Sequence, residues 1–230
     1  MPGRNIPLVN EEIYHVFNRS ISFQPTFFDK RDYHRLLNTV LYYQNQKPTV
    51  KLSRFLILSK EQRNNILEKN KKEANFLVEI ICFCFMPNHL HFLLKQIVDG
   101  GIAKFMSNIT NSYTRYLNTK RKRKGPIFQG KFEAVRIESN EQLLHVSRYI
   151  HLNPLTSFVI KDVNQLEDYG YSSFSEYIGK IQEGFCQKEI VLGQFKNIND
   201  YKKFIFDQVD YQRNLERIKH LVLESEEDLV

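Results

Sequence analysis

The sequence predicts an α+β protein, and three observations carry this. Val78-Glu79-Ile80-Ile81-Cys82-Phe83-Cys84 is an almost wholly apolar run of strand length. Pro87-Asn88 breaks it, and a second strand-like run follows at 89–95, so a buried β-hairpin is expected. Helical spacing of apolar residues marks 30–43 (Tyr33, Leu36, Leu37, Val40, Leu41) and 102–118 (Ile102, Phe105, Met106, Ile109, Tyr113, Tyr116, Leu117). Finally, Ile13-Tyr14-His15-Val16-Phe17-Asn18-Arg19 and the stretch 127–137 read as further strands, the latter one strand or a bent pair with Gly130 at the bend.

Between these elements the chain carries its own punctuation. Asp29 is placed to cap the first helix, and Pro48 lies beyond its end. Residues 44–76 form a polar, lysine-rich insertion whose apolar cluster is Leu52, Phe55, Leu56 and Leu58; its 60–72 part reads as a solvated helix or a mobile segment. Gly100-Gly101 precedes the second helix, and Lys120-Arg121-Lys122-Arg123-Lys124, closed by Gly125-Pro126, follows it. A third helix begins at Ser139 or Asn140, carries Glu141 in its first turn and Leu143, Leu144, Val146, Ile150 and Leu152 behind it, and is expected to end at Pro154. Residues 179–230 read as a helical accessory region, with a helix capped by Asn199 or Asp200 and a solvated acidic end at 224–228.

Composition bounds the function. A chain of 230 residues with 42% hydrophobic residues fits one domain and an extension. No run approaches the roughly eighteen apolar residues of a membrane span, and Met1-Pro2-Gly3-Arg4-Asn5 lacks a signal-peptide core, so no membrane partner and a cytoplasmic location are expected. Three cysteines, two of them inside an apolar strand, suit a reducing compartment. The formal charge of +7 is that of a polyanion-binding protein or simply of a soluble one.

Two constellations carry chemistry. His89 and His91 stand at i and i+2, on one face of a strand, where two imidazoles make a ligand pair for a divalent metal; paired half-buried histidines bonded to backbone give the same pattern. Tyr149 and Asn153 stand four apart in the third helix, about 6 Å along its axis, a phenol beside a neutral amide oxygen; a core tyrosine gives the same pattern. If Pro87-Asn88 is the whole turn, Cys84 and Cys82 come near the imidazoles, and a Cys₂His₂ zinc set is the competing metal reading. His15, His34, His145, His151 and His220 read as structural. The cation run 120–124 is a solvated loop or a phosphate-backbone contact.

Met86-Pro87-Asn88-His89-Leu90-His91, the segment from Gly125 to Lys131, and Arg148-Tyr149-Ile150-His151-Leu152-Asn153-Pro154, in that order, resemble the single-strand DNA transposases of the HUH superfamily. The closest group is the REP-associated tyrosine transposases and their insertion-sequence relatives. Tyr14 to Arg19 and Tyr169-Gly170-Tyr171-Ser172-Ser173-Phe174 fit the same layout, so the resemblance covers roughly 10–178. The insertion at 44–76 and Tyr171, where the family carries tryptophan, depart from it. The resemblance implies a ferredoxin-like antiparallel sheet flanked by helices, with residues 1–178 as the transposase domain and 179–230 as a C-terminal helical extension. It implies a metal-dependent single-stranded DNA endonuclease and strand transferase that works through a 5′-phosphotyrosine. Tyr149 is then the nucleophile, and His89, His91 and Asn153 hold Mg²⁺ or Mn²⁺. The partner is single-stranded DNA next to a hairpin, bound by a monomer or homodimer. Arg115, Lys120, Arg121, Lys122, Arg123, Lys124 and Lys131 are expected on its backbone, with Arg19 and Arg148 nearer the scissile phosphate. The alternative is a basic nucleic-acid-binding protein without cleavage activity.

Overall fold

The structure, a computed structural model, describes residues 7–73, 75–182, 184–207 and 209. His220 and the acidic stretch 224–228 lie outside the described residues. The chain divides into two compact units, Met1–Ile80 with Pro87–Ile137, and Ile81–Met86 with Glu138–Val230.

The strands are β1 (Ile13–Arg19), β2 (Val78–Met86), β3 (His89–Gln96) and β4 (Glu133–Arg136), and the sheet order is β2-β3-β1-β4. Read from the other edge the order is 4-1-3-2, as in a ferredoxin-like sheet. β1 pairs antiparallel with both β3 and β4.

The first unit is built on β1 and β3. In β1, Tyr14, Val16 and Asn18 are buried while His15 and Phe17 are half-buried. The register sets Phe17 opposite His91 and Arg19 opposite His89, so the odd-numbered residues of both strands share one face. The even face is the core side. Leu90, Phe92 and Leu94 are fully buried there, and Phe92 meets Phe105 edge-on at 5.7 Å. Phe105 belongs to α4 (Gly101–Arg121), which packs against α1 (Lys30–Tyr43).

Asp29 caps α1 as its position suggests, accepting from the Asp32 N–H at 3.0 Å. Asp32 is fully buried and accepts from the Phe28 N–H (3.0 Å), the Tyr116 hydroxyl (2.9 Å) and the Lys120 ammonium (2.5 Å). That set of bonds ties α1 to the last turn of α4. Gly101 is a glycine for want of room, since a Cβ there would lie 2.2 Å from the Leu77 carbonyl oxygen.

Two readings left open for this unit are decided, for a helix at 60–72 and for a bent pair at 127–137, and one helix bound moves. The insertion holds two helices, α2 (Leu52–Ile57) and α3 (Lys60–Lys72), and Phe55 of α2 is buried beside Tyr42 at 5.5 Å. The second long helix runs on to Arg121 and stops where Lys122 turns left-handed (φ 50°), its N–H returning to Asn118 and Thr119. Lys120 and Arg121 thus sit in its last turn, where the helix dipole favours cations. The stretch 127–137 is paired in two pieces. Ser20 bridges to Phe128 and Phe17 pairs with Glu133, so the chain takes five steps where β1 takes three. The surplus residues around Gly130 bulge out of the ladder.

In the second unit the Tyr-Gly-Tyr-Ser-Ser segment lines Ile81–Met86. The Phe85 N–H donates to the Tyr171 carbonyl (2.8 Å) and the Ser173 N–H to the Phe83 carbonyl (3.0 Å). The Tyr169 and Tyr177 hydroxyls donate to the carbonyls of Phe85 and Ile81, each at 2.8 Å. These bonds satisfy a strand edge that would otherwise need another partner.

α5 (Asn140–Thr156) starts at Ser139, whose hydroxyl accepts from the Gln142 N–H at 3.1 Å. It does not end at Pro154. The proline sits in the last turn, where only one backbone bond is forfeited, and the Ser157 N–H still reaches the Asn153 carbonyl at 3.0 Å. α6 (Phe174–Tyr177), α7 (Glu189–Leu192) and α8 (Ile198–Phe206) follow. α8 is capped by Asn197, not by Asn199 or Asp200; the Asn197 side chain accepts from the Asp200 N–H at 3.0 Å.

His151 is the centre of this unit. It is fully buried, with Nδ1 2.6 Å from the Tyr201 hydroxyl and Nε2 2.8 Å from Ser173 Oγ. Ser173 Oγ in turn donates to the Phe83 carbonyl at 3.2 Å. The consistent proton order runs from Tyr201 O–H to Nδ1 and from Nε2–H to Ser173. Burial lowers the His151 pKa to about 3, so the ring is neutral.

Candidate functional site

The histidine pair lies on the odd face of β3, in the first unit. His89 is half-buried and His91 buried, their ring centroids 5.0 Å apart and their planes nearly perpendicular. Each ring has its Nδ1 engaged. His89 Nδ1 is 2.7 Å from Asn88 Oδ1. Asn88 has its amide orientation fixed, because its Nδ2 donates to the Phe23 carbonyl at 3.0 Å. That leaves Oδ1 as the acceptor and puts the His89 proton on Nδ1. His91 Nδ1 is 3.0 Å from His15 Nε2, with the two rings nearly parallel at 5.2 Å. Phe17 packs beside both, 5.1 Å from His15 and 5.7 Å from His91. Burial lowers the His15 pKa to about 4, so His15 is a neutral partner.

On His89 the proton on Nδ1 puts the lone pair on Nε2, and His91 takes the same form when its Nδ1 donates to His15 Nε2. This is how metal-binding histidines are usually held, with the second nitrogen donating to a neighbouring group. His15 and Asn88 were not singled out for this in the sequence. Asn88 reads there as a turn residue, and His15 becomes visible only when the β1–β3 register is known. Among the described residues no three His, Cys, Asp or Glu side chains gather as a metal-holding group. The Cys₂His₂ alternative therefore finds no support, and Cys84 is a fully buried thiol whose pKa burial pushes far up.

Tyr149 and Asn153 lie in the second unit, one turn apart on α5. Tyr149 is half-buried and Asn153 buried. The Ser157 hydroxyl donates to Asn153 Oδ1 at 3.3 Å.

The cations fall into distinct settings. Arg19 is exposed on the histidine face, directly opposite His89, its guanidinium 5.8 Å from the Phe23 ring. Arg121 lies over Phe28 at 4.2 Å, and Arg123 donates to the Pro126 carbonyl at 3.3 Å. Lys122, Lys124 and Lys131 are exposed, as is Arg115 on α4. Lys120 is committed inside the unit, to Asp29 at 2.8 Å and Asp32 at 2.5 Å, which push its pKa up. Arg148 is 6% exposed. It lies over the Phe204 ring at 4.1 Å, donates to the Phe204 carbonyl at 3.1 Å and bonds His145 Nδ1 at 2.6 Å, so it joins α5 to α8. Tyr113 is core, its hydroxyl donating to the Thr26 carbonyl at 2.8 Å.

The model of the IS200-like transposase family matches residues 49–153, a stretch that contains His89, His91, Tyr149 and Asn153. A solved REP-associated tyrosine transposase, described as bound to a REP hairpin, has a similar fold, with a TM-score of 0.55 at 14% identity. The match covers 78% of this chain and 87% of that one. No curated protein matches. No helix among the described residues is long and apolar enough to cross a membrane.

Proposed function

We propose that this IS200-like chain cleaves and rejoins single-stranded DNA next to a hairpin, through a 5′-phosphotyrosine on Tyr149 and with a divalent metal. One observation carries the reading. The matched family stretch contains an imidazole pair whose two Nδ1 atoms are both occupied, a state that suits Nε2 ligation by both rings.

Tyr149 attacks phosphorus. A P–O bond to the phenol oxygen forms as the bond to the 3′-oxygen breaks, leaving a free 3′-hydroxyl. The phenol proton is lost, and a proton is gained by the departing oxygen. Attack by another 3′-hydroxyl reverses the step, so no ATP is needed. A phenol has a reference pKa of about 10, so it needs assistance at neutral pH. The residues that would hold the metal are His89, His91 and Asn153, a nitrogen and neutral-oxygen set that suits Mg²⁺ or Mn²⁺. The metal would supply positive charge to the non-bridging phosphate oxygens. Arg19, across from His89, is the proposed guanidinium nearest that phosphate. The catalytic stretch in this reading is 1–178, with 179–230 accessory, and the location is cytoplasmic.

The experiment is cleavage of labelled single strands that carry hairpins, in Mn²⁺ and in chelator. Strand-specific products in Mn²⁺ alone are expected. Binding without cleavage of any fragment would favour a nucleic-acid-binding module that has no nuclease activity.

Two predictions follow from the site's supports. His15→Phe keeps an aromatic ring against Phe17 and removes the nitrogen bonded to His91. Mn²⁺ affinity, followed by electron paramagnetic resonance, should fall about 10- to 100-fold while the fold persists. An unchanged affinity would leave His15 a packing residue. Converting Lys122, Arg123 and Lys124 together to glutamine should weaken single-strand binding. It should also lower the slope of log affinity against log salt by about 2, at roughly 0.7 per lost phosphate contact. Unaltered affinity and slope would show the run to be a solvated loop.

A further inference from the structure

The insertion and the face of α4 turned toward it enclose a feature of which the transposase reading uses only Arg115 and Lys120, as expected backbone contacts. A cavity of about 510 Å³ lies between α1, α2 and α4, a size usual for small-ligand pockets. Arg35 and Tyr43 of α1, Leu52 and Ser53 of α2, and Arg115 and Tyr116 of α4 line it. Every one of these residues belongs to the first unit.

Arg35 is the group that calls for a partner. Its Nε is buried and makes no hydrogen bond, and its guanidinium lies 5.2 Å over the Tyr116 ring. Desolvation by burial lowers its pKa. The acids that reach this region, Asp29 and Asp32, are both bonded to Lys120. A buried, unsatisfied guanidinium nitrogen is costly, and in native proteins it commonly signals a bound ion or water. A second guanidinium, Arg115, is exposed on the same cavity, and the Ser53 hydroxyl is exposed at its α2 wall.

We infer that this cavity is a phosphate-binding pocket, completed by the insertion, in which Arg35 and Arg115 grip one phosphate group. A planar fork of donors matches phosphate oxygens pairwise. The apolar wall at Leu52 and the Tyr43 ring suit the sugar or base that a nucleotide carries beside its phosphate. The pocket therefore takes a nucleotide phosphate, whether from a free nucleotide or from a DNA strand. It stands independently of the roles given to Tyr149 and the histidines.

The test is titration of the full chain with inorganic phosphate, thymidine monophosphate and a short single-stranded oligonucleotide, read by calorimetry. Saturable binding of thymidine monophosphate is expected, tighter than that of inorganic phosphate. Arg115→Ala removes one gripping group. Ser53→Glu places a carboxylate in the cavity at an exposed position where folding is safe. Each should weaken thymidine monophosphate binding at least tenfold, whereas Lys104→Ala, exposed elsewhere on α4, should not. If the same two variants also weaken the oligonucleotide, the phosphate comes from DNA; if they weaken only the mononucleotide, it comes from a free nucleotide. Either result supports the pocket. The absence of saturable phosphate or nucleotide binding, or binding indifferent to both variants, would overturn it.

Discussion

Tyr149→Phe should abolish cleavage while leaving DNA binding and folding in place. The substitution removes one oxygen and keeps the ring, so the half-buried packing of α5 is retained. Affinity for single strands should hold within a factor of about two, because the proposed backbone contacts come from other residues. Cleavage should drop below about a thousandth of the wild-type rate, since loss of a nucleophile removes the covalent route outright. Tyr113→Phe is the informative control. Its hydroxyl is spent on the Thr26 carbonyl inside the core, and burial holds its pKa far up, so it cannot serve as nucleophile. It should cost some stability and leave the adduct intact. Cleavage by Tyr149→Phe together with its loss in Tyr113→Phe would move the chemistry to α4.

The second large effect is on stability. His151→Ala should cost roughly 3 kcal/mol, or about 6–12 °C in Tm. The change opens a void beside Tyr177, whose ring lies 4.7 Å from the imidazole, and takes the His151 nitrogen away from the buried Tyr201 hydroxyl. His34→Ala, on the exposed side of α1, should stay within about 0.5 kcal/mol. Thermal unfolding of the two variants side by side decides it; equal midpoints would show that the network around His151 is not a stabilising centre.

What the sequence made legible, and what it did not, follows the range of the forces involved. The bounds of β1 and α1, the Asp29 cap and the shared face of His89 and His91 are local matters of period and hydrogen bonding, and residue order alone reveals them. The same holds for His151 as a structural residue. The His15–His91 bond joins residues 76 apart and depends on strand register, which no local pattern encodes. The Arg148 setting is missed for a related reason. A cation beside a candidate nucleophile looks like a phosphate ligand until the Phe204 ring and carbonyl take it up. Lys120 is similar, since its acids lie on another helix. Pro154 misleads differently: proline ends a helix by removing a bond, but in the final turn few bonds remain to be lost. At α8, Asn197, Asn199 and Asp200 are all good caps, and only the geometry of the turn selects Asn197.

The most direct measurement is to incubate the full chain with single-stranded DNA carrying a hairpin in Mn²⁺, digest it, and identify by mass spectrometry the peptide that retains a nucleotide. A 5′-phosphonucleotide on Tyr149 is expected, absent in chelator and greatly reduced in His89→Ala and His91→Ala. A nucleotide on another tyrosine, or an adduct on Tyr149 that forms equally well without metal and without either histidine, would contradict it.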